Sequence, residues 1–192
     1  MNQFSKIAVG TWIQAVGTVI SAIGNTPSIK VDQEILEDLI LWGEVLQATG
    51  NALIAEGQDD FSLDAVGNGI QSMGNVTEIA GIVIDSDEDT VLKLIISGNW
   101  LQALGSLVSF SYEYVMKSNA HQVYSIIGNL IQAIGNSMQA LSGVYQLNTM
   151  DNPFSVQTLD VVGSWIQAMG SIISVIGQVL EETEETKLGI DE

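Results

Sequence analysis

The stretch Gly10-Thr11-Trp12-Ile13-Gln14-Ala15-Val16-Gly17 places a glutamine–alanine pair between two glycines that lie seven residues apart. The pattern returns five more times, with serine replacing the alanine in the second of these: between Gly43 and Gly50, Gly67 and Gly74, Gly98 and Gly105, Gly128 and Gly135, and Gly163 and Gly170. A seven-residue spacing returns to one side of an α-helix, so these glycines form a smooth stripe against which a neighbouring backbone can lie closely. The repeat therefore predicts a helix-packing device rather than a catalytic centre.

Each copy of the motif is separated from the next by a polar break, and the copies recur every ~30 residues, which is typical of one helix and its turn per repeat. We expect helices near residues 3–24, 28–56, 61–83, 87–117, 119–148 and 153–185. Pro27 and Pro153 are expected at first helical positions. The chain is thus predicted to be all-α, with six antiparallel helices packed through heptad-spaced glycines in a single repeat-built domain, 1–192. An acidic tail begins at about residue 181.

The faces of these helices carry few charges. Apolar residues occupy several positions of each motif and cover more than half of the helical circumference, so the helices are expected to be buried on more than one side. Whole segments lack charged residues, namely 7–29, 94–112, 121–150 and 161–180. Such faces are expected to meet other subunits or lipid.

One glutamine stands at the same motif position in every copy: Gln14, Gln47, Gln71, Gln102, Gln132 and Gln167. A buried amide needs hydrogen-bond partners, and an equivalent glutamine can supply them. We interpret the set as a polar ladder that fixes the register between helices or subunits. The alternative is six partly exposed glutamines at ordinary helical positions.

Three tryptophans, Trp12, Trp100 and Trp165, also share one motif position. We interpret them as packing residues, in the core or between subunits, with a belt at a membrane interface as the alternative. Together with the motif glycines and glutamines they form the predicted helix-packing and assembly set.

Composition excludes several classes of function. The chain has 23 acidic residues, five lysines or arginines and a net charge of −18, which argues against nucleic-acid binding because phosphate contacts need clustered basic side chains. The acidic run 85–89 resembles the start of a calcium loop but lacks its glycine and its twelfth-position glutamate. His121 is the single histidine, and cysteine is absent. We therefore predict no enzyme and no catalytic, cofactor-binding or metal-binding residues.

The resulting hypothesis is a structural, self-assembling protein whose partner is itself, as a homo-oligomer, filament or sheet. The alternative is a membrane-active or pore-forming helical protein, because the uncharged segments have nearly the length of membrane-spanning helices. The segment after Lys6 has the outline of a signal peptide. Because its pattern recurs along the chain, we assign it to the first repeat and expect a cytoplasmic or spore-associated protein.

The pattern Gly-[Asn/Ser/Thr]-x-[Leu/Ile]-Gln-Ala-x-Gly resembles the repeats of a poorly characterised family of repetitive helical proteins from spore-forming bacilli. The resemblance covers all six motifs, and the third copy departs from it at Gly69 and Ser72. It implies a spore-associated or other structural role and supplies no functional residues.

Overall fold

A computed structural model describes residues 3–58, 62–116, 121–148 and 153–188, except for the side chains of 153–155 and 185–188. The described residues form six α-helices: α1 (Gln3–Gly24), α2 (Gln33–Gly57), α3 (Leu63–Val83), α4 (Glu88–Met116), α5 (Gln122–Leu147) and α6 (Pro153–Leu188). The predicted all-α fold with one helix per repeat is confirmed.

The helices are arranged as a closed ring. Each one packs against the helices before and after it in the sequence, and α6 closes the ring against α1. Helices α1, α3 and α5 begin at one end of the ring, here called the proximal end. Helices α2, α4 and α6 begin at the other, the distal end. A ring of this kind encloses an interior that every helix lines with one face.

The motif glycines lie at points of close backbone approach within the pairs α1–α2, α3–α4 and α5–α6. A Cβ atom built on Gly10 would lie 2.7 Å from the carbonyl oxygen of Gly50, and one on Gly17 would lie 2.7 Å from that of Gly43. All the other motif glycines pair in the same way, Gly67 with Gly105, Gly74 with Gly98, Gly128 with Gly170 and Gly135 with Gly163. Real Cβ atoms essentially never come so close to another atom, so only glycine permits this backbone separation.

Of the two helix starts that were predicted from a proline, one is confirmed and the other is wrong. Helix α6 begins at Pro153 as predicted, but α2 begins at Gln33 and not beside Pro27. The prediction for Pro27 was wrong because the chain first makes turns, in which the Ile29 amide donates to the Thr26 carbonyl at 3.1 Å. Asp32, in an extended conformation, then precedes the first turn of α2.

Helix α4 is capped at its start by Asp87. The Thr90 hydroxyl donates to Asp87 Oδ2 at 2.7 Å, and the Thr90 amide donates to Oδ1 at 3.0 Å. These two hydrogen bonds lower the pKa of Asp87, and the one from the Thr90 hydroxyl has the larger effect. The acidic run that resembles a calcium loop therefore serves here as a helix cap.

The distribution of apolar side chains differs from the one expected. Trp12, Trp100 and Trp165 lie on the outer surface of the ring, with 51%, 43% and 38% of their surface exposed. Their interpretation as core residues of the subunit is wrong. The physical reason is that the polar motif positions turn inward, which directs the apolar positions on the opposite side of each helix outward.

The polar interior as the candidate functional site

The interior of the ring is built from polar side chains. The largest fully buried side chains are Gln47, Gln132, Asn51, Asn75 and Asn136. Most of the buried apolar residues are alanines, namely Ala15, Ala22, Ala103, Ala133, Ala140 and Ala168. Proteins that fold in water bury large apolar residues and leave amides mostly exposed, so this bundle is inverted.

All six motif glutamines lie buried near mid-height of the ring, and we call them the glutamine layer. Gln14 Nε2 donates to Gln132 Oε1 at 2.9 Å, which joins α1 to α5. Gln167 Nε2 donates to Gln47 Oε1 at 2.8 Å and to Gln102 Oε1 at 3.0 Å, which joins α6 to α2 and α4. None of these pairs of helices is adjacent in the ring, so the layer crosses the interior.

Gln71 completes the layer in a different way. Its Oε1 accepts a hydrogen bond from the Ser106 hydroxyl at 3.1 Å, while its Nε2 is buried with no hydrogen-bond partner among the described residues. The alternative of six exposed glutamines is therefore excluded by their burial. Their predicted role in fixing assembly between subunits stays a prediction.

Two carboxylates lie on the distal side of the layer, where Glu44 is 4% and Glu78 is 7% exposed. Glu44 accepts hydrogen bonds from Ser21 and Gln47 at 3.0 Å each and from Asn75 at 2.9 Å. Glu78 accepts one from Gln102 Nε2 at 2.5 Å. A hydrogen-bonded chain of glutamines thus connects the two carboxylates across the interior.

Sequence reasoning missed both glutamates, although a signal was present. Glu44 stands at the motif position that carries Thr, Asn or Ser in the other copies. Glu78 follows Gln71 by seven residues and so lies on the same stripe of α3. Because those positions face the interior in every helix, comparison between the repeats identifies both residues once the inward face is known.

A cavity of about 250 Å³ occupies the proximal end of the interior. All six helices line it, and it is acidic because Asp64, Glu113 and Glu181 contribute to its wall. Asn129 donates to Glu113 at 3.0 Å, and Asn68 donates to Asp64 at 3.0 Å. Gln14 and Gln132 also line the cavity, so it extends from the proximal end to the glutamine layer.

Among the described residues, no three or more His, Cys, Asp or Glu side chains are placed to hold a metal ion. His121 lies immediately before α5, and its Nε2 is 2.8 Å from Glu184 Oε2.

The outer surface of the ring carries many large apolar side chains. Every helix exposes large apolar side chains, among them Val16 on α1, Trp42 on α2, Met73 on α3, Leu104 on α4, Ile134 on α5 and Met169 on α6. Several exposed hydroxyls are satisfied within their own helix. Thr49, Ser97 and Ser111 each donate to the carbonyl four residues earlier, at 2.7–2.8 Å. These three hydroxyls therefore have a hydrogen-bond partner without water.

Three helical segments of the described chain are long and apolar enough to cross a membrane: Gln3–Gly24, Glu88–Met116 and Val156–Glu184. They belong to α1, α4 and α6. Helices α2 and α3 are more polar by composition. However, Glu44 of α2 and both Asp64 and Glu78 of α3 are buried and face the interior.

The fold and its interior define a class: an all-α ring of helices that is polar inside and apolar outside. The chain belongs to DUF6944, a family of unknown function, whose sequence profile matches residues 5–175. No curated protein and no solved structure matches the chain.

Proposed function

We propose that this protein is an integral membrane protein, in which the six helices span the bilayer as a ring and enclose a polar passage. The observation that carries the proposal is the inversion of the bundle. In lipid there is no hydrophobic force that drives apolar side chains inward, and polar groups must find their partners inside the protein. This is the pore-forming alternative that the sequence had suggested.

The position of the charged residues supports a spanning orientation. Segments 7–24 of α1, 94–112 of α4 and 161–180 of α6 carry no charge, and segment 39–55 of α2 carries only the buried Glu44. At 1.5 Å per residue these segments are about 25–30 Å long, close to the ~30 Å hydrocarbon core of a bilayer. The exposed acidic residues lie beyond them, at the two ends of the ring, where water and headgroups would solvate them.

Self-assembly in water remains the second candidate, since exposed apolar surface also marks subunit interfaces. A filament or sheet, however, needs complementary apolar patches on particular faces, with polar surface between them. Here large apolar side chains are exposed on all six helices around the ring. Lipid, which contacts the whole circumference, accounts for that distribution better than neighbouring copies do.

The resemblance of the repeats to helical proteins of spore-forming bacilli belongs to this proposal too. We propose a bacterial membrane, of the cell or the spore, as the location. No catalytic step is part of the proposal.

Membrane flotation tests the proposal directly. The protein is produced with liposomes present, washed in alkaline carbonate and centrifuged through a density gradient. We expect it to float with the lipid after the wash. Brominated acyl chains should quench the fluorescence of Trp12 and Trp100, whereas acrylamide in the aqueous phase should not. Protein that sediments as a large, lipid-free particle would instead support self-assembly and overturn the membrane proposal.

A further inference from the structure

The polar interior is divided by the glutamine layer. On its proximal side lies the open cavity, with Asp64 and Glu113 in its wall and the Gln14–Gln132 hydrogen bond at its inner boundary. On its distal side lie Glu44 and Glu78. The layer itself is held by hydrogen bonds between glutamine amides, such as those of Gln14 with Gln132 and of Gln167 with Gln47. Such contacts exchange easily for contacts with water, so they suit a closure that opens.

The charge of the interior has one sign. The helices place Glu44, Asp64 and Glu78 in it, each at least nine-tenths buried. Among the lysines whose side chains the structure describes, Lys6 pairs with Glu56 outside the interior, and Lys30 and Lys93 are exposed. Buried carboxylates without basic partners need protons or other cations to compensate them. Rings of carboxylates and amide oxygens are also the groups that make a pore cation-selective.

A separate observation points to an interior ligand. Asn51 Oδ1, Gln71 Nε2 and both amide atoms of Asn136 are buried and have no hydrogen-bond partner among the described residues. These side chains are almost fully buried, and they lie beside or within the glutamine layer. Buried amides are normally satisfied, and an exception indicates a bound water or ion. The oxygens of Asn51 and Asn136 suit a hydrated cation.

We propose that the interior is a passage for hydrated monovalent cations and that the glutamine layer is its gate. The proposal rests on the membrane location proposed above. Carboxylates attract the cation on both sides of the layer, and the gate opens when the Gln14–Gln132 and Gln167–Gln47 hydrogen bonds break. In this proposal the buried amide oxygens of Asn51 and Asn136 contact the cation together with part of its own water shell.

The test uses the full chain in planar bilayers and in liposomes with potassium chloride of unequal concentration on the two sides. Gln132→Ala removes the side chain that accepts the hydrogen bond from Gln14. The milder Gln132→Asn shortens that side chain. We expect each to raise potassium flux by roughly threefold to thirtyfold, the range that follows from losing one interhelical hydrogen bond in a membrane. The reversal potential should move toward the equilibrium potential of potassium. Gln146→Ala, at an exposed position of α5, is the matched control and should leave the flux unchanged.

A second pair of variants tests the carboxylates. Glu44→Gln and Asp64→Asn keep the size of the side chain and remove its charge, so each should lower the preference for potassium over chloride. Flotation of every variant separates the two proposals, because a protein that does not float contradicts the membrane location. Variants that float but carry no current, or that pass potassium and chloride equally, would overturn the cation passage and leave the membrane proposal standing.

Discussion

Gln14 on α1 and Gln132 on α5 are joined by a hydrogen bond of 2.9 Å across the interior, although their helices are not neighbours in the ring. The bond exists because every helix turns the same motif position inward. A repeated glutamine that looks unremarkable in one copy becomes a layer when six copies face each other. Side chains far apart in the sequence therefore meet in one layer.

Replacement of Gln132 by leucine should destabilise the ring. The leucine fills a similar volume but leaves the Gln14 amide buried without an acceptor, at an expected cost of about 1–3 kcal/mol. Thermal melts in detergent, followed by circular dichroism, measure the effect. Gln146→Leu removes an exposed amide from the same helix and should leave the melting temperature nearly unchanged. Equal melting temperatures for the two variants would contradict a structural role for the layer.

The glycine stripe is tested by two alanine substitutions that are expected to change the stability of the protein in opposite directions. A Cβ atom on Gly135 would lie 2.6 Å from the Gly163 carbonyl oxygen, whereas one on Gly69 would meet nothing within 4 Å. Gly69→Ala should therefore gain the helix propensity of alanine, up to about 1 kcal/mol. Gly135→Ala should lose stability, since overpacking typically costs ~1–3 kcal/mol. A higher melting temperature for both variants would show that the stripe is not a packing surface.

Substitutions on the outer face of the ring can show whether that face is surrounded by lipid or by water. Met73 lies near the middle of α3 with 65% of its surface exposed. In water, Met73→Lys would change stability by no more than about 0.5 kcal/mol. At the centre of a membrane helix, lysine costs about 2.5–3.5 kcal/mol on insertion scales, so we expect Met73→Lys to reduce membrane insertion strongly. Val83→Lys, exposed at the end of the same helix, is the control, because its ammonium can reach the interface.

Insertion is measured as the fraction of protein that floats with liposomes after a carbonate wash. The expected order is wild type, then Val83→Lys close to it, then Met73→Lys well below both. If Met73→Lys floats as well as Val83→Lys, the exterior of α3 does not face lipid.

Glu44 organises the distal side of the interior, and its hydrogen bonds predict the effect of its loss. Glu44→Ala leaves the Ser21 hydroxyl and the amides of Gln47 and Asn75 without their acceptor, which should cost more than about 2 kcal/mol. Glu44→Gln keeps an acceptor oxygen and should be considerably milder. Glu34→Ala, at an exposed position near the start of α2, should be neutral. Melting temperatures of the three variants check this order.

Much of the fold was accessible from sequence patterns. The spacing of the glycines predicted six helices packed through a glycine stripe, and the structure shows which glycines face each other, such as Gly10 and Gly50. The start of α2 was not accessible, since Pro27 is compatible with both a helix start and the turns that precede Asp32. The tryptophans were interpreted as packing residues in the core or between subunits, and the core interpretation was wrong because Trp12, Trp100 and Trp165 lie on the outer surface.

The sequence by itself determined the repeat, its helical period and the absence of charge from long segments, because these are properties of neighbouring residues along one helix. Only the tertiary structure decided which face of each helix turns inward. A helix with an apolar side and a side of glutamine, asparagine and serine can pack either way, and the solvent around the bundle selects between the two. The closed ring joins Gln14 to Gln132, and Gln167 to both Gln47 and Gln102, by hydrogen bonds. That arrangement brings together five of the six helices at once.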